Sequence, residues 1–153
     1  MEKVFIGIDP GFSGGIAVLD KDGKVKDLTK MPDTPTDILE YLRGWKDGYD
    51  PSCVLEDVGR GIPGQSSSAT AKFARHNGHL EMALLALEIP TATATPQKWQ
   101  KAYQLGSSKG LTKTQWKNVL KAKAQQLFPG ENKRITLCTC DALLLARYAM
   151  MKG

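Results

Sequence analysis

Val4-Phe5-Ile6-Gly7-Ile8-Asp9-Pro10-Gly11-Phe12-Ser13-Gly14-Gly15-Ile16-Ala17-Val18-Leu19 is the stretch that decides the fold. Val4 to Ile8 is a short apolar run that stops at an aspartate. Pro10 to Gly15 is dense in turn formers, and Ile16 to Leu19 is apolar again. The stretch predicts two strands joined by a tight glycine-rich turn, with a carboxylate closing the first. Further out, Asp20-Lys21-Asp22-Gly23 is a hairpin signal. Lys24 to Lys30, with Val25 and Leu28, then reads as a third, edge strand, so the chain opens as an antiparallel meander.

The remaining segments alternate helix and strand. Thr34 caps a helix with Pro35 at its first position and Asp37 at its third; Ile38, Leu39, Tyr41, Leu42 and Trp45 are its apolar face, and Gly44 or Gly48 ends it. Ser52 to Leu55 is a brief buried strand running into Glu56-Asp57. Residues 59–68, rich in Gly and Ser, predict a loop. Phe73, Leu80, Leu84 and Leu87 recur at helical spacing over Ala69–Leu87. Gly78 costs that helix about 1 kcal/mol against Ala, which predicts a close contact there. A strand over Ile89–Thr95 and a short helix over Pro96–Tyr103 follow. Gly106 to Gly110 is a second loop. Thr112 and Gln115 form a capping box for a helix that runs to Phe128 and stops at Pro129-Gly130. Its core face is Trp116, Val119, Leu120 and Leu127, and Lys113, Lys117 and Lys121 make one positive row. The last helix spans Thr139–Met151, with Asp141 in its first turn.

Length and composition bound the rest. At 153 residues, the chain predicts a single domain over 1–153. A chain of this size buries roughly 68–70% of its unfolded surface, enough for a core without staples. The start, MEKVFIGIDPG, has no basic segment followed by a long apolar run, so no secretory signal is expected. No run approaches the roughly 18 apolar residues of a membrane span, so no membrane partner is expected. The three cysteines, Cys53, Cys138 and Cys140, are an odd set that argues for a reducing compartment and a cytoplasmic location. Cys138-x-Cys140 with His76-x-x-His79 does not match zinc-ligand spacing. Cys140 reads as a core residue, and His76 and His79 as surface or interface histidines.

The net charge of +5 conceals a division. Residues 1–96 carry 10 basic and 14 acidic groups, while residues 97–153 carry 11 basic and 2 acidic ones. Lys109, Lys113, Lys117, Lys121, Lys123, Lys133 and Arg134 have almost no acids among them, whereas ordinary surfaces mix both signs. That points to a polyanionic partner, nucleic acid first.

Asp9, Glu56 and Asp141 all stand at element ends, where open α/β sheets gather functional groups. Taken singly, each has an ordinary reading: an Asp before Pro-Gly is a turn residue, and an acid in a first helical turn complements the helix dipole. Together they are hard oxygen donors suited to Mg²⁺ or Mn²⁺, and pairs of such ions hydrolyse phosphodiesters.

Gly7-Ile8-Asp9-Pro10-Gly11 with Ser13-Gly14-Gly15, Val54-Leu55-Glu56, Thr95-Pro96, Lys113-Thr114-Gln115-Trp116 and Asp141-Ala142-Leu143 with Ala146 occur in an order and spacing that resembles the RuvC-type Holliday-junction resolvases. These are members of the ribonuclease H-like nuclease superfamily. The resemblance spans about residues 3–149 and implies an α/β fold with a five-stranded mixed sheet flanked by helices. It implies a homodimer that resolves four-way branched DNA by paired symmetric nicks, using Mg²⁺ or Mn²⁺, two ions per site. It carries metal ligation and catalysis onto Asp9, Glu56 and Asp141, and phosphate contact near the reaction onto Lys113. Lys101, Lys109, Lys117 and Arg60 join Lys113 as expected DNA contacts, though at the second family lysine the register places Gln100 rather than Lys101.

Two positions depart from the pattern. The family generally has an acid or a histidine one turn before the last aspartate, where this chain has Cys138, a poor Mg²⁺ ligand. Asp57 cannot replace it from the same strand face as Glu56, because neighbours on a strand point opposite ways. The family also tends to place a base-stacking aromatic after the glutamate, where this chain has Val58-Gly59-Arg60-Gly61-Ile62. Two rival functions stay open: a junction-binding protein that does not cut, and another ribonuclease H-like nuclease. A sugar-kinase or actin-like ATPase also opens on Gly-Ile-Asp-x-Gly, but 153 residues leave no room for its second lobe. The apolar helix around Phe73–Leu87, with Gly78 allowing close approach, is the expected dimer interface.

Overall fold

A computed structural model describes residues 1–59 and 64–153. Arg60, an expected DNA contact, lies outside the described residues. Strands β1 (Lys3–Asp9), β2 (Gly15–Asp20) and β3 (Val25–Lys30) form the antiparallel meander. Asp20 tightens its second turn by accepting the backbone N–H groups of Asp22 and Lys24 at 2.8 and 2.9 Å. After helix α1 (Pro35–Gly48), β4 (Asp50–Glu56) lies parallel to β1; after α2 (Ser67–Ala86), β5 (Thr91–Ala94) lies parallel to β4. The order β3-β2-β1-β4-β5 is a five-stranded mixed sheet with β3 and β5 at its edges. Helices α3 (Pro96–Lys101), α4 (Lys113–Leu127) and α5 (Cys140–Lys152) complete the chain. The five-stranded mixed sheet flanked by helices that the resemblance implied is therefore present.

Strand periodicity divides the core into two layers. Val4, Ile6 and Ile8 of β1, with Cys53 and Leu55 of β4, pack with Ile38 and Leu42 of α1 and Leu80 and Leu84 of α2. Phe5 of β1 and Val54 of β4 face the other way, against Trp99, Leu120 and the α5 residues Ala142, Leu145 and Ala146. Both faces of β1 are covered, which explains its unbroken apolar run.

α5 lies directly on β1 because Gly7 has no side chain. A Cβ there would sit 2.2 Å from the Ala146 nitrogen and 2.3 Å from the Ala142 carbonyl oxygen. Only a glycine under two alanines allows this approach, and it sets where the first turn of α5 stands relative to the end of β1.

The predicted caps are present: Thr34 accepts the Asp37 N–H, and Thr112 and Gln115 exchange hydrogen bonds. At Gly78 the expected close contact is not made within the chain: a Cβ there would meet nothing within 4 Å. Among the described residues, no helix is long and apolar enough to cross a membrane.

Candidate active site

Asp9 ends β1 in phase with Phe5 and Gly7, and Glu56 ends β4 in phase with Val54, so both carboxylates point to the α5 side of the sheet. The β1–β4 register pairs Ile8 with Leu55, which leaves Asp9 and Glu56 side by side at the next step. Asp141, in the first turn of α5, is carried to the same spot by the Gly7 seam. One oxygen from each of Asp9, Glu56 and Asp141 lies within 4.8 Å of the others. All three residues are buried.

Each carboxylate is held by its own framework. Glu56 Oε2 accepts the Trp99 indole N–H at 2.7 Å, and Trp99 is wholly buried. Thr95 and Pro96 start the short helix that carries this tryptophan, with Thr95 Oγ1 accepting the Lys98 N–H. Buried Thr139 fixes the approach to α5, donating to the Arg134 carbonyl at 3.0 Å and accepting the Thr136 N–H at 2.9 Å. The turn after Asp9 is closed by the Gly14 N–H on the Gly11 carbonyl at 3.0 Å. A Cβ on Gly14 would stand 1.9 Å from the Asp9 carbonyl oxygen, so only glycine fits.

Lys117 enters this cluster from α4. Its Nζ lies 2.6 Å from Asp141 Oδ2 and 3.5 Å from Asp9 Oδ2. Lys117 precedes buried Leu120 and Ala124 by three and seven residues, which puts it on the stripe of α4 turned inward. Lys113, the expected catalytic lysine, is instead exposed at the helix start and pairs with no carboxylate among the described residues. The cation brought to the trio is thus Lys117, one helical turn on. Lys101 and Lys109 are exposed, Lys109 on the loop between α3 and α4 and Lys101 at the end of α3 beside Gln100, whose Oε1 accepts the Trp116 indole N–H.

The electrostatics follow from crowding. Burial, then the Asp141 charge, holds the Asp9 carboxyl well above the usual carboxylate range, against the opposing pull of Lys117. Burial likewise raises Glu56, although the Trp99 hydrogen bond favours its ionised form. Burial pulls the Lys117 ammonium down, but Asp9 and Asp141 more than reverse this and leave it firmly charged. Burial and the nearby Asp141 push the Cys140 thiol up to about 12, so it is an inert core thiol.

Other expectations resolve as follows. Cys138 lines the cleft beside Asp9 and is half-buried. Asp57 is exposed and accepts the Gly59 N–H at 2.9 Å, away from the trio. His76 is buried rather than at the surface, against the ring of Phe12. Arg134 is not a free surface cation: it pairs with Glu131 at 3.1 Å and Asp27 at 3.3 Å.

The carboxylates fit a divalent cation. Oxygen ligands of Mg²⁺ stand 2.0–2.1 Å from the ion, so adjacent ligands are about 2.9 Å and opposite ones about 4.2 Å apart, and the trio's oxygens, all within 4.8 Å of one another, converge on a space of that scale. The donors are all hard oxygens, and a lysine ammonium already answers their need for positive charge.

No protein-family model and no curated protein matches this sequence. Among solved structures, the chain is similar to one described as T. thermophilus RuvC in complex with Holliday junction substrate, with a TM-score of 0.67 and 17% identity, covering 98% of this chain and 94% of that one. A second, described as Thermus thermophilus RuvC structure, aligns with a TM-score of 0.61 and 16% identity, covering 95% and 92%. The chain has the RuvC fold from end to end.

Proposed function

We propose that this chain is a metal-dependent endonuclease, a crossover junction endodeoxyribonuclease that resolves four-way branched DNA by paired symmetric nicks. The observation that carries the reading is the buried Asp9–Glu56–Asp141 trio, placed at two strand ends and a helix start of a RuvC fold and faced by a lysine. Asp9, Glu56 and Asp141 would hold Mg²⁺ or Mn²⁺; when bound, such ions polarise the scissile phosphate and lower the pKa of attacking water. Trp99 keeps Glu56 in one rotamer, so the ligand geometry is set before DNA arrives. Lys117 balances the carboxylates in the absence of other cations and is placed to offset charge on an incoming phosphate. Lys101, Lys109 and Lys113, exposed outside the trio, are suited to backbone phosphates along the arms.

Two ions per site need a further donor, and Cys138 stands where an oxygen or nitrogen ligand would serve better. That cysteine is the observation favouring the second reading, a junction-binding protein that does not cut.

A homodimer supplies the second active site for the paired nick. Gly78, Met82 and Leu85 share one face of α2; Met82 is 61% and Leu85 71% exposed, beside the open edge of β5. That apolar strip is the proposed interface. Light scattering should find a dimer at micromolar concentration and a monomer for Leu85→Lys.

The deciding assay is cleavage of a synthetic four-way junction with Mg²⁺ or Mn²⁺. Wild type is expected to nick opposing strands symmetrically, and Asp9→Asn and Glu56→Gln are expected to bind without cutting. Wild-type rates for either variant would refute the site. Tight binding with no cleavage in either metal would select the second reading.

A further inference from the structure

The cleft holding Asp9 and Lys117 does not end at the carboxylates. Phe12 and Lys72 line both that cleft and a second one between α1 and α2, where Arg75, His76 and His79 stand with Asp33. Lys72 and Arg75 are exposed, and neither pairs with a carboxylate among the described residues.

Phe12 stands where the two clefts meet. It is 67% exposed, on the turn that leaves Asp9. A single exposed aromatic needs no explanation in general, but three features set this one apart. Three residues of chain, at most about 11 Å, separate it from the carboxylate. The turn that presents it is closed by the Gly14–Gly11 hydrogen bond and by glycine-only packing on the Asp9 carbonyl, so little order remains to be imposed on binding. Its ring rests on buried His76, centroids 5.1 Å apart, and His76 Nε2 has no hydrogen-bond partner. A rigid aromatic flanked by unpaired cations is the arrangement that binds unstacked nucleic-acid strands.

We propose that Phe12 is a stacking platform for a base next to the scissile phosphate, and that the Lys72–Arg75 cleft beyond it receives the phosphates of the same strand. This rests on the endonuclease reading. The platform lies on the turn between β1 and β2, a different connection from the stretch after Glu56.

The test uses the full chain in EDTA, which keeps the DNA intact, and four-way junctions carrying 2-aminopurine at successive positions around the crossover. Wild type should change the fluorescence at one or two positions. Phe12→Ala and Phe12→Leu should lose that change and bind roughly five- to 150-fold more weakly, and Phe12→Trp should restore both. Lys72→Gln and Arg75→Gln should each lower the slope of log K against log salt by about 0.7–0.9. Melting scans confirm that each variant is folded; Phe12→Leu keeps the apolar contact with His76 if Phe12→Ala is impaired. Wild-type fluorescence and affinity in both Phe12→Ala and Phe12→Leu would overturn the platform, and unchanged salt slopes would overturn the track. If wild type cuts junctions with Mg²⁺ while the Phe12 variants behave as wild type, only this proposal falls. If wild type neither binds nor cuts branched DNA, the endonuclease reading falls and takes the proposal with it.

Discussion

Replacing Lys117 by Met keeps most of the side-chain volume and removes the one ammonium found in the trio. Its Nζ lies 2.6 Å from Asp141 and 3.5 Å from Asp9, and both carboxylates are buried. Removing one partner of a buried ion pair costs about 3–5 kcal/mol, because the remaining charges stay desolvated. In a domain of this size each kcal/mol moves Tm by roughly 2–4 °C, so Lys117→Met in EDTA should melt about 6–20 °C below wild type. A divalent ion at 100 times its Kd returns about 2.7 kcal/mol. It no longer competes with Lys117, so Mg²⁺ should raise the Tm of the variant more than that of wild type. The pH dependence has a definite sign. Asp9 and Glu56 are already held above their usual range by burial, and loss of Lys117 raises them further. An acid whose folded pKa exceeds its unfolded value contributes stability at low pH that is lost as pH rises through the folded pKa. The EDTA deficit of the variant should therefore widen as pH rises through that window. Scanning calorimetry in EDTA and in Mg²⁺ across pH makes the measurement. A variant that melts with wild type in EDTA and gains no extra Tm from Mg²⁺ would refute the view that Lys117 stands in for a metal ion.

Trp99→Phe keeps a ring in the core and removes the 2.7 Å hydrogen bond to Glu56; metal affinity, read by calorimetric Mg²⁺ titration, should fall about 10–100-fold with the fold retained. Gly7→Ala forces a Cβ to within 2.3 Å of α5 backbone and should cost at least about 1–3 kcal/mol in a denaturant melt. Gly44→Ala, in the open interior of α1, should instead stabilise by about 0.5–1 kcal/mol, and the same melt distinguishes the two glycines. Cys138→Asp places an oxygen donor in the cleft beside Asp9; the Mg²⁺ concentration for half-maximal cleavage should drop, and an unchanged requirement would remove Cys138 from the metal site.

The positions of Asp9 and Glu56 were legible because strands have a period of two. Asp9 shares the parity of Phe5 and Gly7, and each carboxylate closes an apolar run. The partner lysine was harder to read. Lys113, Lys117 and Lys121 make one row in the sequence, and the helical phase of Leu120 and Ala124 does not separate them, because Lys113 stands to Leu120 as Lys117 stands to Ala124. Lys113 falls at the exposed first residue of α4 and Lys117 one turn further in, so which of the two reaches the carboxylates is set by where α4 docks. Trp99 gave a weaker signal, since a buried indole needs an acceptor but nothing local names Glu56 as that acceptor. Gly7 with Ala142 and Ala146 is a pairing of small residues far apart in sequence, so the seam shows only when the helix is docked. Gly78 has open space beside it within the chain, so the close approach expected there is left to the proposed dimer face rather than to the core.

The seam between Gly7 and α5 also bears on when the protein becomes able to act. Asp9 and Glu56 sit together once β1 and β4 have paired, but Asp141 arrives only after α4 and α5 have been made and α5 has settled on the strand. At about 5–20 residues per second, the interval between synthesis of Glu56 and of Asp141 is roughly 4 to 17 s. A ribosome-bound chain in that interval carries two of the three carboxylates and lacks Asp141. On the proposed endonuclease reading, the trio is incomplete until then, and a nascent chain should not cut. Assembly of the active site is in this way an end-point of folding, and hydrogen exchange in β1 and α5 should slow together when competence appears.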